Sequence, residues 1–236
     1  MEGATTSRDV EMESYVQVED QDSRDSGISL AQSTTSQQSC FAKIYFPTLF
    51  DFGFKQYSLD TVERPQVPHK AFRSINADTM ANLLGSLTEE QFQRRFILID
   101  CRYPYEYDAG HIWYSLNLWE TASIEKLFYP EEEERFGEII VRTPIFYCEY
   151  SQKRGPKMAL ALREFDRVRN ESRYPYVDYK EIYLLDRGYR YFFKDRKFSK
   201  YCTPQAYVQM WDSAYTEQRK RFDSHRRGKK GGGTIN

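Results

Sequence analysis

The stretch Pro144-Ile-Phe-Tyr-Cys148-Glu-Tyr-Ser-Gln-Lys-Arg154-Gly-Pro-Lys157 decides how this chain is read. Ile145 to Tyr147 is a short apolar run, the pattern of a buried strand. It stops at a cysteine. An arginine follows after five residues, and Gly155-Pro156 opens a segment of helical periodicity. Strand, tight loop and helix make an anion-binding geometry. Loop N–H groups turn inward, and the helix start adds roughly half a positive charge. Such a setting stabilises a thiolate, the nucleophilic form of cysteine. The arginine brings a planar fork that holds two oxygens of a tetrahedral oxyanion. Nucleophile, cradle and clamp together describe phosphoryl transfer through a phosphocysteine.

The loop length separates two chemistries. A shorter ring with four residues between Cys and Arg suits sulfur transfer, and a wider one with five fits phosphate. This chain has five: Glu149, Tyr150, Ser151, Gln152 and Lys153. These residues with Arg154 form the expected phosphate-binding loop, with Cys148 and Arg154 as catalytic residues. A leaving alkoxide needs a proton in the transition state. Glu149 is the nearest carboxyl by sequence and is named as the acid. Donation by the protein substrate or by the phosphate monoanion stays open.

Outward from the loop, strands alternate with helices. Asn76 caps a helix over Ala77–Leu84 that Gly85 stops, and a second short helix covers Thr88–Arg95. Phe96–Asp100 is a continuous apolar run, the mark of a strand buried on both faces. A polar loop with Pro104, Asp108 and Gly110 follows, and Trp113–Leu118 reads as a strand. Ile124–Tyr129 and Glu131–Phe136 are short helical pieces. The helix after the loop runs from Gly155 to Arg169. Glu181–Leu185 is the last buried strand, Asp186-Arg-Gly188 turns the chain, and Tyr189–Phe193 is an aromatic helix. This alternation predicts an α/β fold with a central parallel sheet and helices on both faces. Ligands in such sheets bind beyond the carboxyl ends of the strands, where Cys148 falls. Thr203-Pro204 predicts one more helix, with Tyr207, Met210, Trp211, Ala214 and Tyr215 as its docked stripe.

The 236 residues hold one ordinary domain plus tails, and 40% hydrophobic with 16% aromatic residues suffice for its core. We divide the chain into 1–60, acidic and disordered; 61–205, the folded domain, with order beginning near Ala71; and 206–236, a C-terminal helix and basic tail. Residues 1 to about 40 lack periodicity and have few large apolar residues. It contains Asp25-Ser-Gly-Ile-Ser29, which reads as a phosphorylation-dependent degradation signal, recognised by a ubiquitin ligase at Ser26 and Ser29, or as ordinary low-complexity sequence. Residues 41–70 carry scattered aromatics, read as a partner-binding segment or a strap on the domain. Arg219–Lys230 is basic and leaves the domain as an import signal, a docking patch or a solvated tail. No apolar run approaches the ~20 residues that span a bilayer, and the start lacks a signal-peptide pattern. The cysteines Cys40, Cys101, Cys148 and Cys202 have no zinc-type spacing. A reducing intracellular compartment, no metal, no cofactor, no nucleic acid and no membrane are expected.

Cys148-Glu-Tyr-Ser, followed by Arg154-Gly-Pro-Lys-Met158, resembles the active loop of the M-phase inducer phosphatases. The resemblance continues through Asp100-Cys-Arg-Tyr-Pro-Tyr-Glu-Tyr107 with Gly110-His-Ile112, through Leu116-Asn-Leu118, through Tyr183-Leu-Leu-Asp-Arg-Gly-Tyr189 with Phe192-Phe193, and through Tyr201-Cys-Thr-Pro-Gln205. It covers about residues 65–210. It implies a rhodanese-like fold and a monomer of nuclear and cytoplasmic location. It implies a dual-specificity phosphatase that acts on phosphotyrosine and phosphothreonine of a cyclin-dependent kinase–cyclin complex and promotes entry into mitosis. It makes Cys148 the nucleophile, Arg154 the phosphate-binding arginine and Cys101 a redox partner that forms a reversible disulfide with Cys148. Arg163, Arg167 and Tyr174 match a kinase-docking patch. Asp100, Arg102, Tyr105, Glu106 and His111 match framework positions. Two positions depart from the family: Tyr147 stands where it usually has His, and Lys153 where Glu is common. A weakened member that binds kinases without turnover is the alternative reading. A sulfur transferase of the parent fold is a third, against which the five-residue loop counts.

Overall fold

The computed structural model describes residues 57–227, with side chains to Phe222. The acidic segment with Ser26 and Ser29, the aromatic run before residue 57 and the last nine residues lie outside the described residues. The centre is a five-stranded sheet of β1 (Arg73–Ile75), β2 (Phe96–Asp100), β4 (Ser115–Asn117), β5 (Thr143–Tyr147) and β6 (Tyr183–Leu185). Its order is β1-β6-β5-β2-β4, and every pairing is parallel. β3 (His111–Ile112) pairs antiparallel with β7 (Cys202–Thr203) in a separate two-stranded ribbon.

Strand alternation sorts the core into two layers. Ile75, Leu98, Ile145, Tyr147, Tyr183 and Leu185 face one side. There they meet α1 (Ala77–Ser86), α2 (Glu89–Arg95), α7 (Gly188–Lys194) and α8 (Arg196–Ser199). Ile97, Ile99, Phe146 and Leu184 face the other, against α4 (Ser123–Phe128), α5 (Glu133–Ile140) and α6 (Arg154–Arg169). All five residues of β2 are buried. Each large apolar side chain buried this way stabilises by about 2 kcal/mol. The parallel sheet with helices on both faces is thus the expected one.

Local signals account for the starts of α1 and α2. Asn76 Oδ1 accepts from Thr79 N at 2.7 Å, and Thr88 with Gln91 forms a capping box. α1 runs through Gly85 to Ser86, so that glycine does not end it. The expected strand Trp113–Leu118 is β4 preceded by a turn at Trp113 and Tyr114, the latter at φ 64°. The loop predicted after β2 contains a helix, α3 (Pro104–Ala109). Residues 57–70 strap the sheet edge. Glu181 accepts from Ser58 N at 3.2 Å, and Val62 N donates to Ser74 O at 2.8 Å. Order therefore precedes Ala71.

The C-terminal helix starts later than expected. Tyr207–Tyr215 is not an α-helix. Residues 204–212 form an irregular strap, a single 3₁₀ turn covers Ser213–Tyr215, and the α-helix starts at Thr216, α9 (Thr216–Arg227). Tertiary bonds decide this. Tyr105 Oη donates to Met210 O at 2.6 Å, Tyr189 Oη donates to Ala206 O at 2.7 Å, and Trp211 is exposed. The basic segment also begins by returning to the domain. Phe222 stacks on Tyr103 at 5.2 Å and meets Trp119 edge-on at 4.9 Å.

Candidate active site

β5 delivers Cys148 to the carboxyl end of the sheet, on the layer that holds Phe146, and α6 leaves the loop at Arg154. The loop is shaped from behind by α7. Tyr189 N donates to Cys148 O at 2.9 Å, and Arg190 N donates to Glu149 O at 3.0 Å. A trans peptide points N–H opposite to C=O, so the N–H groups of Glu149 and Tyr150 face away from α7, into the ring. Gly188 makes this approach possible. It has φ +63°, and a Cβ there would lie 2.3 Å from Cys148 O. Ser151 turns the ring in the left-handed region at φ 52°, and its Oγ accepts from Cys148 N at 3.4 Å.

Arg154 is clamped. Glu106 takes both guanidinium ends, with Nη2 to Oε1 at 2.9 Å and Nη1 to Oε2 still closer. Glu106 is fully buried and also accepts from Tyr103 N at 3.0 Å, at the start of α3. Burial lifts its carboxyl above the ordinary value, and Arg154 pulls it back. Burial likewise works against the Arg154 charge, and Glu106 outweighs it. The guanidinium lies over the Tyr103 ring at 5.1 Å and keeps 21% of its side-chain exposure. The resemblance gives Glu106 a framework role, whereas in the structure it orients Arg154. Pro104 at a helix start with a carboxylate two residues on was the available signal.

Glu149 is buried and its carboxyl is held from the strap. Tyr207 Oη donates to Oε1, Met210 N approaches Oε2 at 3.4 Å, and Arg154 Nη2 lies 3.7 Å from Oε2. The strap between β7 and α9 therefore forms one wall of the site. Tyr150, Gln152 and Lys153 are exposed on its rim.

Cys101 follows β2 as Cys148 follows β5. The register pairs Asp100 with Tyr147, and Cys101 N donates to Tyr147 O at 2.8 Å. Adjacent strands lie about 4.8 Å apart, within the Cα separation of about 4.4–6.8 Å that a disulfide spans. Both cysteines are free and buried in one apolar cluster. Burial raises the Cys101 thiol well above its ordinary value, and Cys148 raises it further. Tyr147 points to the opposite layer. Its hydroxyl donates to Ser115 Oγ at 3.0 Å and accepts from Ile112 N at 3.2 Å, outside the ring. Asp100 and Arg102 form a fully buried pair that also binds Gly110 O, and His111 stacks on Tyr107. These are framework contacts.

Of the three residues matched to docking, Arg163 and Arg167 lie on α6 and Tyr174 follows the turn after it. Arg167 lies over the Tyr174 ring at 5.5 Å and donates to Pro175 O at 3.2 Å, and Tyr174 is exposed. Arg163 turns inward to Asp166 at 2.9 Å. Arg163 and Arg167 line a cavity of about 320 Å³ with His69, Lys70 and Lys180.

A loop of five residues between Cys148 and Arg154, at the end of a parallel strand, backed by one helix and opening another, defines the class. Residues 80–195 match the rhodanese-like domain. The M-phase inducer phosphatase cdc-25.2 of Caenorhabditis elegans is 44% identical over 177 residues, 73% of this chain and 36% of the relative. The M-phase inducer phosphatase cdc-25.1 of the same organism is 42% identical over 172 residues, 72% of this chain and 28% of the relative. The M-phase inducer phosphatase of Drosophila melanogaster is 38% identical over 188 residues, 75% and 37%. The chain belongs to the M-phase inducer phosphatase family. It spans about a third of the length of the curated relatives it matches.

Proposed function

We propose that the chain is a cysteine-dependent dual-specificity protein phosphatase. It removes phosphate from phosphotyrosine and phosphothreonine of a cyclin-dependent kinase–cyclin complex and so promotes cell-cycle progression. The observation that carries this reading is the Cys148–Arg154 ring. The N–H groups of Glu149 and Tyr150 face away from α7, and the ring's arginine is fixed by Glu106. The Cys148 thiolate attacks phosphorus and forms the S–P bond. The P–O bond breaks, and the leaving oxygen takes a proton from Glu149. Water then cleaves the phosphocysteine and returns that proton to Glu149. No step calls for a metal.

Specificity comes from surface docking. Arg167, Tyr174 and the cavity lined by Arg163 offer a cationic, partly aromatic surface that suits an acidic face of the kinase. Cys101 protects the nucleophile. A peroxide oxidises Cys148 to the sulfenic acid, and the Cys101 thiol condenses with it, releasing water and forming the disulfide. Tyr147 and Lys153, the departures behind the kinase-binding alternative, occupy the opposite layer and the rim. Neither fills the ring. The test is hydrolysis of an aryl phosphate and of a doubly phosphorylated kinase complex, compared with Cys148→Ser. No Cys148-dependent turnover on either substrate overturns the phosphatase reading and leaves the binding one.

A further inference from the structure

The strap after β7 reaches the site through one side chain. Tyr207 is partly buried, and its ring packs on Tyr189 at 6.1 Å and on Phe193 at 6.0 Å. Tyr189 is the residue whose N–H holds the Cys148 carbonyl. The Tyr207 ring therefore rests on the same helix that shapes the loop, and its hydroxyl has a fixed place. That hydroxyl donates to Glu149 Oε1. Burial first, and then the bond to Glu149, push the Tyr207 phenol well above its ordinary value, so it remains a donor. The second oxygen, Oε2, is left turned toward Arg154 and the ring, with Met210 N behind it at 3.4 Å. Met210 is itself anchored, because its carbonyl accepts from Tyr105 Oη at 2.6 Å. A glutamate side chain has three rotatable bonds, and fixing it costs rotamer freedom. Here that ordering is done before substrate arrives.

We propose that Tyr207 is a positioning residue: its hydroxyl holds the Glu149 carboxyl with Oε2 toward the leaving oxygen, so that proton transfer accompanies P–O cleavage. This rests on the phosphatase reading above. It goes beyond that reading by assigning part of the proton-transfer machinery to the C-terminal strap, 58 residues from Glu149 in sequence. Misplacing a catalytic group costs most where the leaving group most needs its proton. A threonine alkoxide needs it. A p-nitrophenolate leaves without it.

The experiment measures kcat/KM for p-nitrophenyl phosphate and for a phosphothreonine peptide in four proteins: the full chain, Tyr207→Phe, Glu149→Gln and the double variant. Phe keeps the ring contacts, and the ratio of the two substrates cancels any loss of folded enzyme. The expected result for Tyr207→Phe is a fall of about tenfold on the peptide and less than about twofold on the aryl ester. In the Glu149→Gln background the same change alters neither, since Tyr207 acts through Glu149. Equal losses on both substrates, no loss on either, or a full additional loss in the double variant overturns the inference while leaving the phosphatase reading intact. No turnover by the unmodified chain overturns both.

Discussion

Two arginine–carboxylate pairs take their carboxylates from one stretch of chain, Asp100 and Glu106, and they do different work. Arg102 and Asp100 are both wholly enclosed. Asp100 takes Nε and Nη2, Gly110 O takes a further bond, and the guanidinium lies 3.8 Å from the Tyr189 ring centre. No face remains for a ligand. Arg154 has an equally good carboxylate in Glu106, yet it keeps part of its surface at the ring. One pair is closed and supports the frame, and the other is held on one side and presents a cation on the other. Type of residue and quality of ion pair do not separate a framework arginine from a working one. The open edge does.

The largest effect that would sharpen this contrast comes from replacing each arginine by lysine. Lysine cannot reproduce the two-pronged contact at either site. Arg154→Lys is expected to lower kcat/KM by about 10²–10³ with little change in melting temperature. Arg102→Lys is expected to cost about 3 kcal/mol in denaturant unfolding, with activity per folded molecule kept. If both variants show the same profile, the distinction between the pairs is wrong.

Gly188 comes next, because it lets α7 approach the back of the ring. Gly188→Ala forces a Cβ onto Cys148 O at a positive φ, which costs about 1–3 kcal/mol and twists the inward N–H groups. Activity is expected to drop by at least about tenfold, read by aryl phosphate kinetics beside a melting curve. An unchanged kcat/KM would mean that α7 does not shape the ring.

A third expected outcome concerns the thiol beside the site rather than the charges. After peroxide treatment and then a thiol reductant, the unmodified chain recovers most of its activity, while Cys101→Ser recovers several-fold less. Equal recovery would remove the protective role from Cys101.

The smallest effect is on stability against pH. Burial raises the Glu106 carboxyl above its ordinary value of 4.5 in the folded chain. The folded state then binds more protons than the unfolded one just above that value, so this group's contribution to stability falls as pH rises through that window. Glu106→Gln removes the dependence. Melting curves between about pH 4 and 7 should show the unmodified chain losing ground to the variant as pH rises. The reverse slope would mean that Arg154 dominates and holds the carboxyl below its ordinary value.

The frame was legible in the sequence where one layer of chemistry decides it. Phe96–Asp100 is apolar throughout because both faces of β2 are covered, and that pattern needs no knowledge of the neighbours. Asn76 and Thr88 act within their own helix starts. The ring was legible because Cys148, Arg154 and Gly155-Pro156 are contiguous. What was misread depends on partners distant in sequence. Glu106 meets Arg154 across 48 residues, and Tyr207 meets Glu149 across 58. The strap shows the same limit. Tyr207, Met210 and Tyr215 have helical spacing, but hydrogen bonds from Tyr105 and Tyr189 to its carbonyls take it off that course. Arg163 and Arg167 share a helix face in sequence, yet the buried Asp166 draws only Arg163 inward.

The central claim is that Cys148 is a nucleophile in a phosphate cradle. The most direct measurement is rapid acid quenching during turnover of a ³²P-labelled phosphothreonine peptide, followed by peptide mapping of the protein-bound label. The account predicts label on the peptide containing Cys148, formed in the full chain and absent from Cys148→Ser, which binds the peptide without turnover. Label on another residue, or equal turnover by Cys148→Ser, would contradict it.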